Sequence, residues 1–394
     1  MPSPLDGRRL WFAGIGGAGL SGYAVLANAW GAAVSGWDRA ETPYLEHVRA
    51  AGIDVTVSPE PEPPEGYEAV VSTAYRDRVQ GHSRAELLAE LVAARDAIVV
   101  AGAHGKTTTA AMIAFVLDRL GLDPAYVIGG DVAQLGGNAG AGGGWLVVEG
   151  DESDRTIAAL RPRIAVVTNV DLDHHSEFAS RAEVQSLFDA WLANVPVVIR
   201  NAEPAELKLA VPGLHNRQNA AAALAALEAA GVARADAGPV LGTFTGVARR
   251  LERRGEAGGV AVYDDYAHNP AKVEAAVAAL HETSSGHVLV LFQPHLPSRT
   301  RHVARELGAA LAGADAVAVA DVYAAREQQL DGVDGRTVVQ ALLDVRPGMP
   351  VAWTPDPADG ARFLAGRARP GDVVATVGAG DVDAVVPELL RELA

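Results

Sequence analysis

Ala97-Ile98-Val99-Val100-Ala101-Gly102-Ala103-His104-Gly105-Lys106-Thr107-Thr108-Thr109 is the stretch that decides how this chain is read. Five apolar residues in a row predict a buried parallel strand. The glycines at 102 and 105 predict a turn, and Thr108 to Leu120 reads as a helix. Strand, glycine turn, Lys-Thr and helix together form a cradle for a nucleoside triphosphate. Backbone N–H groups point inward and the helix N-terminus adds positive potential. The lysine reaches the β- and γ-phosphates, and the threonine hydroxyl ligates Mg²⁺. The spacing departs from the full G-x-x-x-x-G-K-[ST]: Val100 stands where its first glycine belongs, and the first glycine here is Gly102. An ordinary strand–helix turn is the competing reading. The strand before and the helix after favour the phosphate site.

Toward the N-terminus, Leu10 to Ala13 reads as a short strand and Gly14-Ile15-Gly16-Gly17-Ala18-Gly19 as a G-x-G-x-x-G turn. A helix to about Ala29 and a strand from Ala33 to Asp38 follow. The glycines allow a tight turn and close approach to a diphosphate, and Asp38 is placed to accept from a ribose hydroxyl. The pattern does not specify NAD; it says diphosphate of some nucleotide, against a turn whose glycines serve only packing. Residues 58–68, rich in Pro and Glu, read as a surface loop, Ala69 to Thr73 as a strand, and Ser83 to Ala94 as a helix. The first domain is therefore expected to end near residue 95.

Toward the C-terminus, residues 129–144 are glycine-rich around Asn138 and predict a long structureless loop, either functional or disordered. Trp145 to Val148 reads as a strand with Glu149-Gly150-Asp151-Glu152-Ser153-Asp154 at its C-terminal end, where α/β sheets place their chemistry. Four crowded carboxylates favour a cation such as Mg²⁺ over a solvated acidic turn. Ile164 to Val170 is the next strand, leading into Asp171-Leu172-Asp173-His174-His175, with at least one histidine expected in the site. Gly213-Leu214-His215-Asn216-Arg217-Gln218-Asn219 opens an alanine-rich helix. Its polar residues are either caps or readers of an adenine edge, and spacing leaves both open. From about residue 245, strands at 260–263, 288–292, 316–320 and 373–377 each end in polar residues, among them Asp264 to Pro270 and Gln293-Pro294-His295. That is the pattern of an open parallel sheet with one functional edge.

The bulk numbers bound the function. A length of 394 residues suggests two or three domains. Apolar content is 49% and aromatic content 5%, so the cores are built from Ala, Val and Leu. A formal charge of −16 argues against sequence-independent nucleic-acid binding, which needs a basic face. The absence of cysteine excludes disulfides, a thiolate nucleophile and cysteine-ligated metal. The first residues lack a signal peptide's basic start and apolar run, and no apolar run reaches the ~18–20 residues of a membrane helix. The expectation is a cytoplasmic protein with small-molecule partners and no nucleic-acid or membrane partner, as a monomer or homodimer.

Taken together and in order, the motifs resemble those of the Mur ligases, specifically the branch that adds L-alanine. They are GIGGAGLSG (14–22), AHGKTTT (103–109), EGDESD (149–154), TNVDLDHHSEF (168–178), GLHNRQNA (213–220), RRLERRG (249–255), DDYAHNP (264–270), FQPHLPSRT (292–300), DVYAAREQ (321–328) and GAGDV (378–382). The resemblance implies an α/β chain of three domains. These are a Rossmann-like UDP-binding domain over 1–95, a shortened P-loop ATPase-type domain over 96–244 and a Rossmann-like domain over 245–394 that closes over ATP and the amino acid. It implies a UDP-sugar site at Gly14, Gly16, Gly17, Ala18, Gly19, Asp38, Ser72 and Asn138. It assigns the ATP phosphates to Gly102, His104, Gly105, Lys106, Thr107 and Thr108, and the rest of the ATP site to His215, Asn216, Asn219 and Asp265. Thr107 and Glu149 would hold one Mg²⁺ and His174 would help hold a second. Arg250 would reach the phosphates, while Tyr266, His268, His295 and Arg299 would surround L-alanine.

The implied reaction is ATP-dependent, ADP-forming ligation in peptidoglycan precursor synthesis. The lactyl carboxylate of UDP-N-acetylmuramate attacks the γ-phosphate, and the alanine amine attacks the resulting acyl phosphate. Lys106, Arg250, Glu149 and His268 carry the catalysis, with His268 as candidate base. Two alternatives share the motifs: a recycling ligase that attaches a preformed peptide to the same nucleotide sugar, and a nucleotide-binding relative without ligation. A dehydrogenase reading leaves the P-loop unexplained. The chain departs from the family pattern at Ala103, where threonine is usual, at Asn269, where a second histidine is usual, and at Leu296, where many members have arginine. It is also short between Arg200 and Gly213.

Overall fold

A computed structural model describes residues 4–152, 155–171, 177–200, 202–325 and 327–394. They form two compact units. One holds the chain up to Leu209 together with Arg217–Thr245, the other Ala210–Asn216 and Gly246–Ala394.

The first unit carries two sheets. Strands β1 (Arg9–Ala13), β2 (Ala33–Asp38), β3 (Asp54–Val57), β4 (Glu68–Val71) and β5 (His82–Ser83) alternate with helices α1 (Ala18–Ala29), α2 (Tyr44–Ala50) and α3 (Arg84–Ala93). They pair in the order β3-β2-β1-β4-β5, all parallel. The chain steps from β1 toward β2 and β3, then returns to β4 on the other side. This reversal opens a crevice beyond the end of β1, where a doubly wound sheet binds its ligand. The first glycine turn sits there.

The second sheet comprises β6 (Ala97–Ala101), β7 (Ala125–Val127), β8 (Ala139–Ala141), β9 (Leu146–Gly150), β10 (Ile164–Val167) and β11 (Val197–Arg200). Helices α4 (Lys106–Arg119), α5 (Arg181–Leu192), α6 (Leu214–Ala229) and α7 (Arg234–Leu241) belong to the same stretch of chain. The strand order is β11-β10-β6-β9-β7-β8, with only β8 antiparallel to its neighbour. All five residues of β6 are buried. A central parallel strand is covered on both faces, so it reads as an unbroken apolar run.

The second unit carries β12 (Glu252–Ala257), β13 (Val260–Asp265), β14 (Val288–Phe292), β15 (Ala316–Val319), β16 (Val351–Trp353) and β17 (Val373–Val377). Its helices are α8 (Pro270–Thr283), α9 (Pro297–Leu311), α10 (Gly335–Val345), α11 (Pro357–Ala365) and α12 (Val386–Glu392). The order is β12-β13-β17-β14-β15-β16, parallel except for the edge strand β12. Among the described residues no helix is long and apolar enough to cross a membrane.

Several expectations change in detail. The glycine-rich stretch 129–144 is not structureless. Its β8 pairs with β7, and the ring of Tyr126 lies where a side chain on Gly140 would go. Those glycines permit close packing of the backbone rather than disorder. Strand β9 continues through Glu149 and Gly150, and β13 through Asp264 and Asp265, because parallel neighbours keep bonding them. These acids stand within the strands, not beyond them. Strand β10 ends earlier than expected, at Val167, since Thr168 and Asn169 turn to serve the P-loop. Helix α6 starts at Leu214, so His215 and Asn216 lie in its first turn.

Candidate active site

The turn after β6 is fixed by side chains from the end of β10. The Asn169 carboxamide accepts from the His104 N–H at 3.0 Å and donates to the His104 carbonyl at 2.9 Å. Thr168 Oγ1 donates to the same carbonyl at 2.5 Å. Gly102 and Gly105 take φ values of +134° and +82°, which side-chain-bearing residues rarely adopt. A Cβ on Gly105 would collide with Asn219 Oδ1, so Asn219 of α6 packs directly on the turn.

Lys106 opens α4. Its ammonium donates to the Gly102 carbonyl at 2.6 Å and to both Glu152 oxygens at 3.0 and 3.3 Å. The Glu152 side chain is only 3% exposed. Burial pushes the Lys106 pKa down, but the carboxylates of Glu152, Asp151 and Glu149 outweigh it and hold the ammonium above its ordinary value. Thr107 Oγ1 donates to Glu149 Oε2 at 3.0 Å, and the other Glu149 oxygen accepts from Gly129 N–H at 2.6 Å. Thr108, buried, follows on α4.

The Thr107 and Glu149 oxygens fit Mg²⁺: both are hard donors, and their separation matches the edge of an octahedron with bonds of ~2.1 Å. Among the described residues no three carboxylates or histidines form a ready-made metal cluster. The remaining positions would fall to phosphate and water, as is usual for Mg²⁺. His174 lies outside the described residues.

The first glycine turn is held differently. Gly14 (φ +89°) and Ile15 donate to the Trp37 carbonyl at 2.8 and 3.1 Å. Asp38, buried at the end of β2, accepts from Gly16 N–H at 2.8 Å and Arg39 N–H at 2.7 Å, with the Tyr75 hydroxyl at 3.4 Å. Thr42 Oγ1 donates to the Gly16 carbonyl at 2.7 Å. Asp38 thus braces the turn from inside. Burial, and then Asp38, raise the Tyr75 pKa. Ser72 Oγ accepts from Ala74 N–H and borders Gly14. Asn138, buried, bonds Ser21 of α1 at 3.4 Å. Gly17 is the N-cap of α1 and Ala18 its first residue; no side chain caps that end.

In the second unit, alternation along β13 sends its two acids to different partners. Asp264 accepts from Thr376 Oγ1 at 2.6 Å and Arg249 Nε at 3.1 Å. Burial, only partly offset by these partners, pushes its carboxyl up to about 6. Asp265 accepts from Leu251 N–H at 2.8 Å and Ala267 N–H at 2.7 Å, and burial raises its pKa as well. Tyr266, His268 and His295 form a ring cluster with centroids 5.6 and 6.0 Å apart, and Arg299 Nη1 lies 3.1 Å from His295 Nδ1. His268 Nδ1 is 2.9 Å from the Tyr266 carbonyl. Arg250 lies over the Tyr266 ring at 5.4 Å. Asn269 caps α8, accepting from Lys272 N–H at 2.9 Å. In the same unit, Asn216 Nδ2 donates to the Pro212 carbonyl at 2.6 Å, and His215 follows Leu214 in the first turn of α6.

The structure therefore gathers Gly102, His104, Gly105, Lys106, Thr107, Glu149 and Asn219 at one turn. It gathers Gly14, Gly16, Asp38 and Ser72 at another, and Tyr266, His268, His295 and Arg299 at a third place. Residues not anticipated are Glu152, Asn169, Arg249 and Tyr323. Glu152 was one of four acids in a run that spacing does not rank. Arg249, beside Arg250, is a clamp: it bonds the carbonyls of Gly378 and Gly380 and pairs with Asp264 and Asp383. The Tyr323 ring stacks on His295, and its carbonyl accepts from the N–H of Leu296, a residue at φ +66°. The DVYAARE stretch was the available signal for it.

Comparison with known proteins agrees along the whole chain. Residues 9–96 match the model of the Mur ligase family catalytic domain, 100–196 the Mur ligase middle domain, and 249–380 the Mur ligase glutamate ligase domain. The UDP-N-acetylmuramate–L-alanine ligase of Streptomyces coelicolor is 36% identical over 460 aligned positions, covering 100% of this chain and 99% of that one. The enzyme of the same name from Renibacterium salmoninarum is 38% identical over 452 positions, covering 98% and 96%. Among solved structures, the UDP-N-acetylmuramate-alanine ligase of Thermotoga maritima superposes with a TM-score of 0.79 at 25% identity, covering 97% of this chain and 98% of that one. With 460 positions aligned against 394 residues, at least 66 positions of the Streptomyces coelicolor alignment face gaps in this chain.

Proposed function

Because the chain belongs to the Mur ligase family, we propose that it joins L-alanine to the lactyl carboxylate of UDP-N-acetylmuramate, with ATP converted to ADP and phosphate. The observation that carries the chemistry is the P-loop pairing of Lys106 with Glu152 and of Thr107 with Glu149. It supplies one buried cation and one hard-oxygen pair at the start of α4. In this reading the first glycine turn holds the UDP diphosphate, with Asp38, Ser72 and Asn138 around it. The domains are those of the three sheets, 1–95, 96–244 and 245–394.

A lactyl carboxylate oxygen attacks the γ-phosphorus, the bond to the bridging oxygen of ADP breaks, and an acyl phosphate forms. Lys106, still held by Glu152, donates to phosphate oxygens and neutralises the charge spread over them. Thr107 and Glu149 would hold one Mg²⁺, which would supply further neutralisation, and His174 would help hold a second. The alanine amine then attacks the acyl carbon, the C–O bond breaks, and phosphate leaves. A proton on His268 Nδ1, bonded to the Tyr266 carbonyl, leaves Nε2 as the base that takes the amine proton. Arg299 and His295 are assigned to the alanine carboxylate, Arg250 to phosphate, and His215, Asn216, Asn219 and Asp265 to the remainder of the ATP site.

The test is phosphate release by the purified protein with ATP, Mg²⁺ and UDP-N-acetylmuramate, adding L-alanine, glycine, L-serine or a murein tripeptide separately. Release that requires both the nucleotide sugar and L-alanine is the expected result. Release only with tripeptide would move the protein to the recycling branch, and no release with any amine would contradict ligation.

A further inference from the structure

Within the first unit, one ion pair joins the start of α3 to the acidic run beyond β9. Arg84 is the first residue of α3, whose N-terminus is fixed independently by a capping box between Ser83 and Glu86. The guanidinium reaches back to α1: a Cβ on Gly19 would stand 3.3 Å from Arg84 Nη1. Its other terminal nitrogen, Nη2, lies 3.2 Å from Asp151 Oδ2, with both side chains largely covered. Asp151 precedes Glu152, the acid that grips Lys106. Asp151 also contributes to holding the Lys106 ammonium above its ordinary pKa.

We propose that Arg84 is a positioning residue that couples occupancy of the first glycine turn to the P-loop. This rests on the reading of that turn as the diphosphate site. Arginine presents donors along two edges of a rigid plane, so one guanidinium serves two anions at once. Here Nη2 stays on Asp151 while Nη1, already against Gly19, takes a diphosphate oxygen. Binding the nucleotide sugar then immobilises the fork, the fork immobilises residues 150–152, and Glu152 presents Lys106 in one place. Ordering this segment once lowers the cost of binding the second ligand, which gives positive coupling without a large displacement. The coupling is reciprocal, so ATP tightens the nucleotide sugar by the same factor.

The test measures the dissociation constant of a non-hydrolysable ATP analogue with Mg²⁺, with and without saturating UDP-N-acetylmuramate. In the unmodified protein the nucleotide sugar is expected to tighten the analogue about fivefold or more, within the usual range for coupled sites. Asp151→Asn is the decisive variant. It should leave the affinity for UDP-N-acetylmuramate alone within about twofold, yet bring the coupling factor close to one. Arg84→Lys keeps the charge without the fork and should lose coupling too. Arg84→Ala should lose coupling and weaken the nucleotide sugar, with the analogue alone binding as before. Coupling that survives in Asp151→Asn, or its absence from the unmodified protein when both ligands bind, would overturn the proposal. Failure of the unmodified protein to bind UDP-N-acetylmuramate at all would instead overturn the functional reading beneath it.

Discussion

The two glycine turns of the first unit are built from the same local grammar and end up with different electrostatics. Each follows a central parallel strand, each begins with a glycine at positive φ, and each opens a helix that no side chain caps. At the first, the brace is Asp38, and its oxygens are directed at the backbone N–H groups of Gly16 and Arg39. At the second, the brace is the neutral Asn169, and the charged groups are Lys106 and the acids facing it. Glycines create the cradle in both cases; the neighbouring strand ends decide what it can do. In the proposed reading the first holds an anion, while the second brings a cation and a hard-oxygen pair to a phosphate.

That contrast breaks most visibly at Lys106. Lys106→Ala should cut ADP formation by about 10²–10³-fold or more, the scale set by loss of one transition-state donor. UDP-N-acetylmuramate affinity should stay within about twofold. Equal loss of nucleotide-sugar binding, read by calorimetry, would mean the two turns are not separate sites. The complementary change is Asp38→Asn, which keeps the volume but replaces one acceptor oxygen with a donor. It should weaken UDP-N-acetylmuramate about 10-fold, in line with ~1–2 kcal/mol for a disturbed buried hydrogen bond. Binding of the ATP analogue alone should not change.

The smallest effect compares the glycines themselves. Gly17→Ala falls at ordinary φ, with its nearest neighbour 3.4 Å from the new Cβ, and thermal unfolding should report less than ~1 kcal/mol of change. Gly105→Ala falls at φ +82° against Asn219 and should cost at least ~1–2 kcal/mol, with weakened binding of the ATP analogue. Equal tolerance at the two positions would show that the P-loop relaxes more easily than its packing implies.

The sequence was most legible where a local rule has one physical solution. The unbroken apolar run 97–101, short and bounded by a glycine turn, reads as a buried strand, and the glycine turns after residues 13 and 101 appear where expected. The Asn269-Pro270 helix start is also where the residues place it. Legibility fell where partners come from distant strands. Nothing in EGDESD distinguishes Glu149, aimed at Thr107, from Glu152, aimed at Lys106, because the choice depends on the path beyond β9. Arg249 and Arg250 are neighbours of the same type; only the return of residues 378–380 and Asp383 makes the first a clamp. The glycine-rich stretch 129–144 failed for the opposite reason. Composition suggests looseness, whereas the glycines leave room for the Tyr126 ring beside β8.

The most direct measurement is oxygen transfer. UDP-N-acetylmuramate labelled with heavy oxygen in its lactyl carboxylate would be turned over with ATP, Mg²⁺ and L-alanine, and the released phosphate examined by mass spectrometry. An acyl phosphate made at the P-loop predicts one carboxylate oxygen in each phosphate released. Phosphate carrying none of the label, while the amide still forms, would contradict that chemistry.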